Sequence, residues 1–163
     1  MCEKILLIDG HSILNRAFYG LPDLTSPEGL HTGAVYGFLN ILFRVLEEEK
    51  PEYLAVAFDR SEPTFRHQKY PEYKGTRKPM PEELKEQLPM LQKMLAAMGI
   101  TTVSLAGYEA DDLLGTLAKR SEEKGMDVTI LSGDRDLLQL ASKKTLIRIP
   151  KTAKGQTIIE SYH

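Results

Sequence analysis

Lys4-Ile5-Leu6-Leu7-Ile8-Asp9 is a short apolar run closed by a carboxylate, and its form recurs along the chain. A run of this length with β-branched residues reads as a buried strand, too short for a buried helix. Similar runs occupy residues 53–58, 101–105 and 128–131. Helical patterns lie between them, at residues 33–49, 81–98 and 110–124. Pro81 followed by Glu82 and Glu83 suits a first helical turn, while Gly99 and Gly125 suit C-terminal stops. A fifth strand is expected at residues 145–149, with Lys154-Gly155 turning a short hairpin into residues 157–159. Alternating strands and helices predict an α/β fold: a mostly parallel central sheet with helices on both faces.

At 163 residues the chain fits one domain with a real core. Its 42% hydrophobic and 27% charged residues are ordinary for a soluble globular protein. A net charge of -2 offers nucleic acid no global attraction, so any such binding must be local. The one cysteine, Cys2, excludes an internal disulfide and fits a reducing interior. Residues 5–8 are too few for a signal peptide's apolar region or a membrane span, so the expected location is cytoplasmic.

The residues at the carboxyl end of each strand are more telling. Ile8 leads to Asp9, and Phe58 to Asp59. Residues 101–105 lead through Ala106-Gly107-Tyr108 to Glu109, Asp111 and Asp112. Residues 128–131 lead through Ser132-Gly133 to Asp134 and Asp136. In a parallel sheet the carboxyl ends of the strands share one edge, where doubly wound folds place their ligands. Seven acids from four segments are thus aimed at one crevice. Two like charges a few ångströms apart repel by about 1 kcal/mol in water and by several times that near protein. Either some of these acids protonate or cations bind among them. Oxygen donors without His or Cys suit hard ions, Mg²⁺ or Mn²⁺, and two such ions are the usual machinery for phosphodiester hydrolysis. The plainer reading is helix capping by Asp111, Asp134 and Asp136, and turn initiation by Asp9 and Asp59. Joint placement, with an acid after each of four strands, favours the shared metal site.

Residues 60–80 form the second informative stretch. Arg60, Arg66, Lys69, Lys74, Arg77 and Lys78 stand against Glu62 and Glu72, interleaved with Phe65, Tyr70 and Tyr73. Cations and rings beside an acidic pocket suit single-stranded or frayed nucleic acid, the cations holding phosphates while rings stack on bases. Pro63, Pro71, Pro79 and Pro81 oppose one uninterrupted helix here. The competing reading is a solvated, mobile surface loop. Position directly after Asp59 favours the functional one.

These residues, taken in order, resemble the 5′-nuclease domains that open bacterial DNA polymerase I chains, within the flap endonuclease and PIN-like family. The matching pieces are Ile8-Asp9-Gly10-His11-Ser12, Asn15-Arg16-Ala17, Thr32-Gly33-Ala34-Val35-Tyr36-Gly37 and Ala57-Phe58-Asp59. They continue with Tyr73-Lys74-Gly75-Thr76-Arg77-Lys78-Pro79-Met80-Pro81, Glu109-Ala110-Asp111-Asp112 and Ser132-Gly133-Asp134-Arg135-Asp136. The resemblance runs from about Lys4 to the last residue. It implies a metal-dependent 5′-3′ exonuclease or flap endonuclease, acting on flap or nicked DNA in primer removal and repair.

The resemblance also implies roles. Asp9, Asp59, Glu109 and Asp111 match ligands of a first metal ion, Asp112 a further acid of bacterial members, and Asp134 and Asp136 acids that help hold a second. Lys74 and Arg77 match basic residues at the base of a flexible helical arch over about residues 60–81, placed to polarise the scissile phosphate. Arg66, Lys69, Tyr73 and Lys78 are expected to contact DNA. Family members continue into further aspartates and a helical duplex-binding motif, so residues 1–163 are expected to be a nuclease domain truncated from a longer polymerase. Such a piece is expected to be monomeric and weakly active or inactive on its own. The alternatives are a PIN-like ribonuclease, against which the long basic segment argues, and a catalytically incomplete nucleic-acid-binding fragment.

Smaller signals read plainly. His11 is expected either near a phosphate or in a turn or capping role, and His31 and His67 without partners. Met90, Met94 and Met98 form a helical stripe expected to pack in the core.

Overall fold

A computed structural model of the chain describes residues 3–20, 27, 29, 31–59, 81–104, 108–153 and 156–162. Residues 60–80, with Arg66, Lys69, Tyr73, Lys74, Arg77 and Lys78, lie outside the described residues. Six strands form one sheet: β1 (Lys4–Asp9), β2 (Tyr53–Ala57), β3 (Thr101–Val103), β4 (Asp127–Leu131), β5 (Thr145–Ala153) and β6 (Gln156–Tyr162). Their spatial order is β3-β2-β1-β4-β5-β6. Every pairing is parallel except the β5–β6 hairpin, in which Ala153 faces Gln156. The hairpin is longer than the expected strands at 145–149 and 157–159, because once paired each strand can extend along its neighbour.

Strand β1 is the hub, with β2 on one side and β4 on the other. Its alternate side chains feed two cores, as a strand buried on both faces requires. Leu6 and Ile8 join Val56, Leu131 and the helices α1 (Gly10–Gly20), α2 (Gly33–Glu49), α3 (Glu82–Lys85) and α4 (Gln87–Ala97). Leu7 points the other way, joining Val128, Ile130, Ile147 and the helix α5 (Ala110–Glu123). Leu137, from a 3₁₀ segment at Arg135–Leu140, completes that second core. No helix among the described residues is long and apolar enough to cross a membrane.

Helix α1 is absent from the sequence reading. It starts directly on the last residue of β1, and its buried stripe is only Ile13, Leu14 and Ala17. Gly10 makes that abrupt entry possible, since a Cβ there would stand 2.5 Å from the Phe58 ring. The expected single helix over 81–98 is two helices, α3 and α4, broken at Glu86. Pro89 explains the break: it lacks an N–H for the carbonyl of Lys85, and its ring crowds that carbonyl. Nor is the methionine stripe all core. Met90 packs against it, but Met94 is 38% and Met98 43% exposed. The short α4 turns its apolar stripe through Leu91 and Leu95, leaving those methionines on its flank. His31 also has a partner: its N–H donates to Glu86 Oε1 at 3.0 Å, with the ring 4.0 Å from the same oxygen.

Two buried polar devices brace the first core. Arg148 of β5, only 8% exposed at its side chain, reaches Glu49 Oε1 at 3.1 Å and Glu48 Oε2 at 2.5 Å, tying the end of α2 to the sheet. Gln87, 0% exposed, serves the other end of α2. Thr32 makes no side-chain cap there, and Gln87 Oε1 instead accepts the N–H groups of Ala34 at 2.7 Å and Val35 at 3.1 Å. Gln87 Nε2 donates to the Glu83 carbonyl at 2.9 Å, so one amide joins α3, α4 and α2. Replacing Gln87 with leucine strands two buried helix-terminal donors, each worth about 1–3 kcal/mol when left unmade. Gln87→Leu should therefore lower unfolding stability by roughly 2–6 kcal/mol in urea titrations. An unchanged midpoint would mean that α2 does not depend on this cap.

Candidate functional site

The strand order reverses at β1: the chain winds outward from β1 to β3, then crosses to β4 on the opposite side. A doubly wound sheet opens its ligand crevice at such a switch point, beyond the carboxyl ends of the strands. Asp9 is the last residue of β1, and Ser132 comes directly after the last residue of β4. Both flank the switch.

Asp9 is 4% exposed. Its Oδ2 accepts the Ser132 hydroxyl at 3.0 Å, and its Oδ1 the Ser12 N–H at 3.4 Å. Burial above all, then the charge of Asp111 and to a lesser degree that of Asp59, push its carboxyl up to about 7, against the opposing hydrogen bonds from Ser132 and Ser12. Asp9, Asp59 and Asp111 thus share one electrostatic neighbourhood. Asp59 Oδ1 accepts the Ala110 N–H at 2.6 Å, which fastens the end of β2 to the first turn of α5. That turn carries the buried Glu109 and the half-buried Asp111 and Asp112. Glu109 and Asp112 form a reciprocal capping box, with the Glu109 N–H donating to Asp112 Oδ2 at 3.1 Å. The positive end of the α5 dipole favours this concentration of carboxylates.

Asp134 and Asp136 approach from the other side. The Asp134 N–H donates to Ser132 Oγ at 3.0 Å, and Asp134 Oδ1 caps the 3₁₀ segment through the Asp136 N–H at 2.9 Å. Of the three acids read as caps, Asp134 caps the 3₁₀ segment and Asp136 is the residue whose N–H it accepts, while in α5 the capping box is made by Glu109 and Asp112. Among the described residues no group of three His, Cys, Asp or Glu side chains is gathered closely enough to enclose an ion.

Two clefts flank the acids. One of about 700 Å³ lies between Asn15, Arg16 and Tyr19 of α1 and the residues Asp134, Arg135 and Asp136. The other, about 590 Å³, is lined by Glu109, Asp111, Asp112, Lys119 and Asp136 among others. Asp136, exposed, borders both. Asp9 and Asp59 line neither.

Several supporting residues carry no role in the sequence reading. Ser12 Oγ stands 3.2 Å from Ser132 Oγ and accepts the Gly133 N–H. Arg16 Nη2 donates to the Gly133 carbonyl at 2.9 Å. A Cβ on Gly133 would meet Arg16 Cγ at 2.7 Å and Ser12 Oγ at 3.1 Å, so a side chain there would have to displace Arg16 from the contact between the turn after β4 and α1. Ser12 three residues after Asp9, and Ser132-Gly133 at a strand end, were the available signals. His11 lies in the first turn of α1, where its Nδ1 accepts the Asp59 N–H at 3.1 Å and its ring meets Phe58 edge to face.

A carboxyl whose folded-state pKa is raised costs stability wherever it must ionise. That cost is absent below its ordinary value of 3.8, grows as pH rises, and is complete above about 7. In chelator, Asp9→Asn should accordingly melt higher than the parent at pH 8, its unfolding free energy larger by an amount on the order of several kcal/mol. The two should converge near pH 4. An Asn variant that melts lower at pH 8 would contradict this account of Asp9.

Comparison with known proteins accords with this geometry. The family described as 5′-3′ exonuclease, N-terminal resolvase-like domain matches residues 4–163. DNA polymerase I of Bacillus subtilis (strain 168) is 49% identical over 160 residues, covering 98% of this chain and 18% of its own length. DNA polymerase I of Bacillus caldotenax is 50% identical over 162 residues, covering 99% and 18%. The chain thus spans less than a fifth of these relatives. Among solved structures, bacteriophage T5 D15 flap endonuclease, in a complex with DNA and metal ions, aligns with a TM-score of 0.68 at 21% identity, covering 89% of this chain and 54% of that one. Human GEN1 in complex with Holliday junction DNA aligns at 0.54 with 18% identity, covering 98% and 38%. These structural likenesses show a shared fold, and the sequence matches decide membership. The chain belongs to the family of 5′-3′ exonuclease N-terminal, resolvase-like domains.

Proposed function

We propose that this chain is a divalent-metal-dependent 5′-nuclease that hydrolyses phosphodiester bonds near the 5′ end of flap or nicked DNA, in primer removal and repair. The observation that carries the reading is Asp9: a buried carboxyl at the switch point, pushed up to about 7 by burial and by the acids it faces. A site that makes its own carboxylate so costly to ionise favours whatever brings positive charge to it. The donors around it are oxygens, which fit Mg²⁺ or Mn²⁺. Asp9, Asp59, Glu109 and Asp111, with Asp112 beside them, would hold a first ion, and Asp134 and Asp136 would help to hold a second. Cations bound there supply electrophilic stabilisation to the scissile phosphate. DNA named with the T5 and GEN1 relatives supports the choice of substrate.

The remaining roles fall to the chain's own side chains. Lys74 and Arg77 hold the scissile phosphate and offset charge that grows on it in the transition state. Arg66, Lys69, Tyr73 and Lys78 hold the 5′ single strand through phosphate contacts and stacking. The Asp59–Ala110 hydrogen bond keeps β2 and α5 in step, so that Asp59 is presented together with Glu109 and Asp111. In this reading the nuclease works as a monomeric, cytoplasmic part of a longer DNA polymerase.

A Mg²⁺ titration against 5′-flap DNA, set beside single-stranded RNA, tests the proposal. Flap DNA should be cut in a Mg²⁺-dependent manner and RNA left intact; preferential cutting of RNA would indicate a ribonuclease. Asp9→Ala combined with Asp111→Ala should abolish Mn²⁺ binding in calorimetry. Identical binding by that double variant would sink the ligand assignment. Lys74→Ala and Arg77→Ala should each slow single-turnover cleavage by roughly 10–100-fold while weakening DNA binding far less.

A further inference from the structure

Ser132 is fully buried and sits between the two groups of acids. Its hydroxyl donates to Asp9 Oδ2 at 3.0 Å and accepts the Asp134 N–H at 3.0 Å. A hydroxyl has one proton, and that proton is directed at Asp9. The 3.2 Å contact between the two serine hydroxyls must then be donated by Ser12. Ser12 Oγ in turn accepts the Gly133 N–H. With Asp9 ionised, donation runs from Gly133 through Ser12 and Ser132 to Asp9. The same Ser132 oxygen anchors the turn in which Asp134 caps Asp136.

We propose that Ser132 is a positioning residue for phosphodiester cleavage, its hydroxyl holding the Asp9 carboxylate in register with the Asp134–Asp136 turn. The role rests on the nuclease reading. Ser132 has no access to substrate, so it acts through the acids and not on the DNA. Ser12 assists by orienting the Ser132 hydroxyl, and Arg16, through the Gly133 carbonyl, holds the adjoining peptide. Without the hydroxyl, Asp9 loses a directed donor and the Asp134 N–H loses its acceptor, so the two parts of the acid cluster drift independently. Groups that orient ligating side chains typically contribute about 10–100-fold to metal affinity or activity.

The test compares the parent chain with Ser132→Ala and Ser132→Thr. Calorimetry reads Mn²⁺ affinity, single-turnover cleavage of one 5′-flap DNA reads rate, and melting in chelator confirms folding. Ser132→Ala should bind Mn²⁺ about tenfold more weakly and cleave roughly 10–100-fold more slowly, with an unchanged KM for DNA. Ser132→Thr, which keeps the hydroxyl, should recover both. Should the threonine variant melt far below the parent, Ser12→Ala replaces it and should give the same loss in weaker form. Parental Mn²⁺ affinity and rate in Ser132→Ala would overturn the inference while leaving the nuclease reading intact. A parent that binds Mn²⁺ but never cuts the flap would overturn the nuclease reading instead, and the affinity comparison would still decide whether Ser132 positions Asp9.

Discussion

An aspartate carboxyl with 4% exposure at the end of the central strand is the constraint to which the neighbouring residues answer. Ionising Asp9 there costs free energy, because burial removes water and Asp111 adds a like charge. The fold offsets part of that cost with two donors, the Ser132 hydroxyl and the Ser12 N–H. Each comes from a different element, and each arrives only because those elements are locked together. The close approach of Gly10 to Phe58 lets α1 start at once after Asp9, which brings Ser12 back over the carboxylate. Gly133 lets the turn after β4 press against Ser12 and Arg16.

Topology makes this convergence possible. In the order β3-β2-β1-β4-β5-β6, β1 has a parallel neighbour on each side, so three carboxyl ends meet around Asp9. From β2 comes Asp59, which grips α5 through Ala110 and so brings Glu109 and Asp111. From β4 comes Ser132, which brings Asp134 and Asp136. Two cores, one on each face, keep the strands from sliding, since a one-residue slip of β1 would exchange Leu6 and Ile8 with Leu7. Buried polar links then fix the helices on the first face: Gln87 at the start of α2 and Arg148 near its end.

The acids serve as structural caps as well as candidate ligands. Asp112 and Asp134 accept backbone N–H groups at the starts of α5 and the 3₁₀ segment. A cap of this kind costs nothing when a cation arrives, because a carboxylate has more acceptor sites than one N–H fills. The same residue can hold its own helix in place and still offer oxygen to an ion.

Much of this was written locally. Strand identity at β1, β2 and β4, the span of α2, and the arrival of acids after successive strands follow from short apolar runs and their punctuation, which act within a few residues. Other features exist only because distant segments meet. Nothing near His11-Ser12-Ile13 announces α1, whose short stripe gains its partners from α2 and the sheet. Pro89 outweighed the long apolar period of residues 81–98, and Met94 and Met98 turned outward because of where α4 lies. Serine is an ordinary turn residue by composition; Ser132 becomes the link between Asp9 and Asp134 solely through contact with a strand more than a hundred positions earlier. Which acids are present was local information, whereas their couplings, their burial and the hydroxyls that orient them depend on distance through space, which sequence order does not encode.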